Sequence, residues 1–237
     1  MSNKKKKPAM TREMEQQAAQ LLGKHASREK RRVLLAVTLI ACALPMILGW
    51  RMRHAIPDMV PTGLIGANGQ DDSLPRWAVI WGLPGLMCLM DAIAHFMLRL
   101  NQKRMTVPPA ATRLVGRWGF PIISVLFCSG MILQASGGDL TLPFLTPCVL
   151  GLTFLLLGGH MWDCPRDARV ALRFSFTECS DKAWKEVHRL AAEVWLAAGL
   201  VIIAEAMISS GSPATALFTV IALAIPFVYG KVRGEQL

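Results

Sequence analysis

Residues 180–208 read SDKAWKEVHRLAAEVWLAAGLVIIAEAMI. The first third is charged, the rest is apolar, and no proline or turn signal separates them. Ser180 is a predicted N-cap, and Asp181 places negative charge in the positive first turn of a helix. Trp184, His188, Ala191 and Trp195 recur at helical spacing on one stripe, while Lys182, Glu186, Arg189 and Glu193 alternate in sign along another. The stretch predicts a single helix that starts in water, rises through a headgroup layer and continues into hydrocarbon. Its lysines and arginines can snorkel, with Trp184 and Trp195 as interfacial anchors.

The rest of the chain agrees with a membrane setting. Of 237 residues, 53% are hydrophobic and 18% charged, against about 25% charged in an ordinary soluble domain. Apolar runs fall at 33–50, 77–98, 118–135, 143–161, 190–208 and 213–230, near the roughly 17–25 residues that cross a bilayer. They are continuously apolar and do not alternate, which excludes a transmembrane barrel. Pro45, Pro84, Pro121, Pro147 and Pro226 lie inside or beside these runs, as transmembrane helices tolerate. Trp50, Trp77, Trp118 and Trp162 fall at run ends, where interfacial aromatics belong. The stretch LIAC, Leu39 to Cys42, resembles a lipoprotein cleavage box, but the leader before it is long and the apolar run continues beyond it, so a retained helix is expected. The six cysteines lie mostly within apolar runs and read as small hydrophobes.

The expected fold is therefore an all-α integral membrane protein with about six transmembrane helices. Charge sets its orientation. Ten Lys/Arg fall in residues 1–32, five in 99–117, six in 162–189 and two after the last run, which makes 23 of 26 on one side. Arg51, Arg53 and Arg76 are left for the other. The positive-inside rule places both termini in the cytoplasm, and the net charge of +10 reads as topology, with no direct nucleic-acid binding expected. The implied organisation is a basic cytoplasmic tail at 1–32, two helices at 33–98 with an outer loop at 54–76, a basic cytoplasmic loop at 99–117, and a four-helix region at 118–237 with a cytoplasmic loop at 162–189. The expected location is the cell membrane, with the bilayer itself as a partner. Part of the tail, 12–30, could form a weakly amphipathic helix against anionic headgroups or remain a solvated tail.

The outer loop reads HAIPDMVPTGLIGANGQDDSLPR. Pro57 and Pro61 stiffen an extended chain, Asn68-Gly69 signals a tight turn, and Asp58 belongs to an acidic edge beside the three outer arginines. The loop either joins two helices or serves as an outward recognition surface. Ile56-Pro57-Asp58, Pro61 and Asn68-Gly69 resemble the small domain of unknown function that often precedes the SdpI domain in bacterial membrane proteins. A His-Phe pair belonging to that pattern is replaced here by Gly63-Leu64.

Gly158-Gly159, Pro165, Arg173, Thr177, Ser180, Trp184, His188-Arg189 and Gly199 follow in the order and spacing of the SdpI family signature. Two glycines of that signature are absent: Val170-Ala171-Leu172 precedes Arg173, and Ala191-Ala192 follows the His-Arg pair. The resemblance implies an integral membrane immunity protein that protects a bacterium from a secreted, membrane-acting peptide toxin. For some members it also implies a signalling receptor that holds a transcriptional repressor at the membrane. It marks Arg173, Thr177, Ser180, Trp184, His188 and Arg189 inside, and Pro57, Asp58, Pro61, Asn68 and Gly69 outside, as candidate partner- or toxin-binding residues.

Four ionisable residues fall within the spans. Asp91 and His95 share one helix face, four residues apart, while Glu193 and Glu205 lie in the fifth span, Glu205 toward its outer end. Charge in hydrocarbon costs a few kcal/mol, so each is a functional candidate. Two readings of Asp91 and His95 stay open: a satisfied pair, or a proton- or ion-responsive pair with Glu193 or His188 contributing from span five. The second supports an alternative function, an ion- or proton-coupled small transporter or channel. His160, Cys164, Cys179 and His188 do not have convincing zinc spacing. No phosphate loop, GxSxG or HExxH occurs, so neither an enzyme nor a cofactor or metal is expected.

Overall fold

The computed structural model describes residues 28–65, 71–103, 110–166, 168, 170–178, 180–209 and 212–234. Most of the N-terminal tail and the Asn68-Gly69 turn lie outside the described residues. Among the described residues, six helices are long and apolar enough to cross a membrane. They are α1 (Arg28–Met52), α2 (Ala78–Leu100), α3 (Arg113–Ala135), α4 (Leu142–Met161), α6 (Asp181–Ile208) and α7 (Ala214–Arg233). A one-turn helix, α5 (Ser175–Glu178), precedes α6. The protein is a helical multi-pass membrane protein. Its two described chain ends meet at one end of the bundle, the basic end, where Arg233 approaches Glu186 and Glu29 of α1 pairs with Arg189 of α6.

Helix α6 and helix α1 are the buried centre. Half of the apolar length of each is buried, against 22% for α2 and 17% for α7, which turn most of their surface outward. The most extensive packing is between α4 and α6. It depends on glycines whose missing Cβ lets the backbones approach. A Cβ on Gly151 would stand 2.8 Å from the Gly199 carbonyl oxygen, and one on Gly199 would stand 2.7 Å from that of Gly151. One turn pair along, Gly158 faces the backbone of Ala192 and Leu196. Small residues at the contact are the common means of helix association in lipid, where apolar burial alone favours no partner. Here they recur every seven residues, which hides the stripe from a search for small residues four apart.

Prolines sit where the helices change winding. Pro121 is followed by a wide turn at Ser124–Cys128, and another wide turn, Ala78–Gly82, precedes Pro84. Such turns absorb the backbone bonding that proline disrupts. Helical structure also extends into the segment expected to be a basic loop at 99–117: α-helix continues to Lys103 and resumes at Ala110. Helical bonding satisfies the backbone at the membrane surface, with Arg99 exposed and Arg113 and Arg117 half-buried.

The loop at 54–76 is more ordered than a simple connection. It forms an antiparallel hairpin of β1 (Met59–Ile65) and β2 (Asp71–Pro75), with Val60 opposite Leu74 and Pro61 opposite Ser73. The register shifts between Pro61 and Ile65. Ile56 and Val60 are buried beneath it, and Arg76 closes its base by pairing with Asp58 at 2.8 Å.

Four of the six expected interfacial tryptophans are interior. Trp50 and Trp77 are largely exposed, whereas Trp118, Trp162, Trp184 and Trp195 are 4–6% exposed. The reason is a neighbour shaped to take each ring. Trp118 lies against the bare backbone of Gly159, and the indole N–H of Trp195 donates to the Ala222 carbonyl of α7 at 2.9 Å.

Candidate functional site

The loop between α4 and α6 folds into a cap over the basic end of the bundle, and the signature residues hold it there. Ser180 caps α6 as expected, accepting the Ala183 N–H at 3.0 Å. Thr177 is fully buried. Its hydroxyl accepts the Phe174 N–H at 2.9 Å and lies within donating distance of the Leu172 and Phe174 carbonyls. Trp184 donates its indole N–H to the Cys164 carbonyl at 2.8 Å, and Arg166 reaches Asp181 at 2.8 Å.

His188 joins the cap to the helix. It is 2% exposed and stacks on Trp184 with 4.0 Å between ring centroids. Nδ1 lies 2.8 Å from the Trp184 carbonyl, and Nε2 accepts the Leu172 N–H at 3.1 Å. These contacts fix the neutral tautomer with hydrogen on Nδ1. Arg173 folds back to donate to the carbonyls of Arg166 and Ala168, at 2.9 and 3.1 Å. Arg173, Thr177, Ser180, Trp184 and His188 are therefore brought together as the cap's frame, with Thr177, Trp184 and His188 buried within it. To solvent the cap shows Arg173 of that frame together with Lys182, Lys185 and Glu178.

Arg189 serves a second junction. Its guanidinium lies 3.9 Å over the Trp162 ring and bridges Glu29 of α1 and Glu193 of its own helix. Lys30 of α1 reaches Asp163 of the cap at 3.3 Å. The start of α1, the cap and α6 are thus tied together at the basic end. Glu193, expected as a partner for Asp91 and His95, is instead paired with Arg189 and exposed, and His188 is committed to the cap. Neither joins the intramembrane pair: the His188 ring is held by Trp184 and Leu172, and the Glu193 carboxylate by Arg189.

The partner of that pair comes from α1. Thr38 Oγ1 lies 2.6 Å from Asp91 Oδ2 and 3.4 Å from His95 Nε2, and both Thr38 and Asp91 are fully buried. The sequence signal for Thr38 was a single hydroxyl in an otherwise apolar run, too common to be singled out. Glu205 accepts from Thr215 Oγ1 of α7 at 2.9 Å, and so is bonded between two helices.

At the hairpin end, Pro57, Asp58 and Pro61 are exposed. Beside them Trp50 and Trp81 approach at 6.1 Å and, with Met46 and Ile47, line an apolar groove of about 370 Å³. Arg53 stacks 4.2 Å over Trp50, which puts a cation at the groove's rim. Asn68 and Gly69 lie outside the described residues. Among the described residues, no group of three or more His, Cys, Asp or Glu could hold a metal ion. His160 Nε2 contacts the Val170 carbonyl and His188 Nε2 takes Leu172, while Cys179 lies outside the described residues.

Residues 163–230 match the family model of the SdpI/YfhL protein family. The matched segment runs from the first residues of the cap through α6 and most of α7, and does not include the hairpin. No curated protein and no solved structure matches the chain.

Proposed function

We propose that the protein is an SdpI-like immunity protein of the bacterial cell membrane, which neutralises a secreted peptide toxin acting on the bilayer. One observation carries this reading: the family match, residues 163–230, coincides with the cap and helix pair built by Arg173, Thr177, Ser180, Trp184 and His188. In this reading the hairpin and the Trp50–Trp81 groove face outward and receive the apolar, amphipathic toxin, with Arg53 at the rim. The cap and both termini face the cytoplasm, a placement supported by the positive-inside rule, since 23 of the 26 basic residues lie on that side. The exposed Lys182 and Lys185 then offer a basic docking face for a cytoplasmic repressor. The role of the signature residues is to hold that face in shape.

The test is protection. Expression in a sensitive bacterium should raise survival against a membrane-active peptide encoded beside this gene, and Trp50→Ala with Trp81→Ala should abolish it without lowering the amount of protein in the membrane. A panel of neighbouring-operon peptides, none of which is neutralised, would remove the function.

A further inference from the structure

Thr38 has one hydroxyl hydrogen and three acceptors around it. Its Oγ1 lies 3.1 Å from the Leu35 carbonyl, 2.6 Å from Asp91 Oδ2 and 3.4 Å from His95 Nε2. A hydroxyl donates once and can accept twice. The ring of His95 also faces the backbone of Arg117, whose carbonyl has lost its helical partner because Pro121, four residues on, carries no N–H. A neutral imidazole that donates there presents a lone pair at Nε2. This nitrogen is 3.9 Å from Asp91 Oδ1, too far for a hydrogen bond, and Asp91 Oδ1 is buried with no partner among the described residues. An ionised Asp91 would thus be a buried carboxylate with one oxygen unbonded and, among the described residues, no cation in contact, a costly state in hydrocarbon.

We propose that Asp91 is a proton-binding site within the membrane, held as the neutral acid at neutral pH. The hydrogen sits on Oδ2 and is donated to Thr38 Oγ1, and the Thr38 hydroxyl donates onward to the Leu35 carbonyl or to His95 Nε2. When the Thr38 hydrogen goes to His95 Nε2, every group of the cluster except Oδ1 is satisfied, and in either case no net charge is buried. The titratable groups that face the site are Cys42 from α1, Cys88 and His95 from α2, and Cys128 and, behind His95, Arg117 from α3. Loss of the proton would leave a carboxylate at the α1–α2 contact and draw His95 toward it. The site would therefore couple protonation to the packing of α2, one of the two least buried of the six helices.

Infrared difference spectroscopy on the full chain in nanodiscs tests this directly. At neutral pH a carboxylic-acid carbonyl band should be present, should be lost in Asp91→Asn and should move to higher frequency in Thr38→Val, which removes its acceptor. Glu205→Gln separates the other buried carboxyl. The wild-type protein grown on carbon-13 aspartate gives an independent readout, with a downshift of the same band. A wild-type spectrum with no acid band that moves on aspartate labelling would overturn the proposal, whether or not the variants fold. A band unmoved by Thr38→Val would overturn the Thr38 bond. Neither outcome bears on toxin protection.

Discussion

His188 shows how one side chain can look like a ligand and be a joint. Both ring nitrogens are used, one on its own helix and one on Leu172 sixteen residues back. His188→Ala leaves the Leu172 N–H without its acceptor and removes the stack on Trp184, so it should destabilise by about 1–3 kcal/mol. The readout is the midpoint of denaturant unfolding in detergent. Lys185→Ala, on the exposed face, should stay within about 0.5 kcal/mol. Equal midpoints for the two variants would mean that His188 does not hold the cap. Thr177→Val keeps the shape and removes the hydroxyl that braces the Leu172–Phe174 turn. Limited proteolysis within 170–178 should then accelerate several-fold, with the cut rate elsewhere unchanged.

Between elements, the decisive contact is α4 on α6. Gly151, Gly158, Ala192 and Gly199 let the two backbones touch, and the neighbours at the seam include main-chain atoms that cannot rotate aside, beside the side chains of Ile203, Leu155 and Leu196. Gly199→Ala should therefore lower thermal stability by about 1–3 kcal/mol, against the usual helix preference for alanine. Gly119→Ala meets only the Val115 methyl at 3.6 Å and should be neutral or stabilising by up to about 1 kcal/mol. A gain from both substitutions would show that the α4–α6 seam is looser than described. The α4–α6 seam was only half legible in the sequence. Gly158 and Gly199 stood in the sequence as members of the signature, but the heptad spacing that pairs Gly151 with Gly199 and Gly158 with Ala192 emerges only when α6 is laid beside α4.

For the whole molecule, sidedness decides which surfaces meet which partner. Single cysteines placed at 175 and 139 on a cysteine-free background should differ in labelling by a membrane-impermeant maleimide. In intact cells residue 139 should react, and residue 175 should react only after permeabilisation. The reverse pattern would exchange the roles of hairpin and cap.

Sequence by itself determined the six spans, the N-cap at Ser180 and the uninterrupted helix from water into hydrocarbon, because these depend on local hydropathy, helical spacing and capping chemistry. It also placed Trp184, His188, Ala191 and Trp195 on one face, and the structure buries all four. It did not determine what that face meets. Only the tertiary structure decided that four tryptophans are interior, that Arg189 reaches Glu29 of α1, that Thr38 completes the Asp91 and His95 cluster, and that the signature residues brace a cap. The reason is distance along the chain. Thr38 and Asp91 are 53 residues apart and Arg189 and Glu29 are 160 apart, and no local period encodes which two helices will stand side by side.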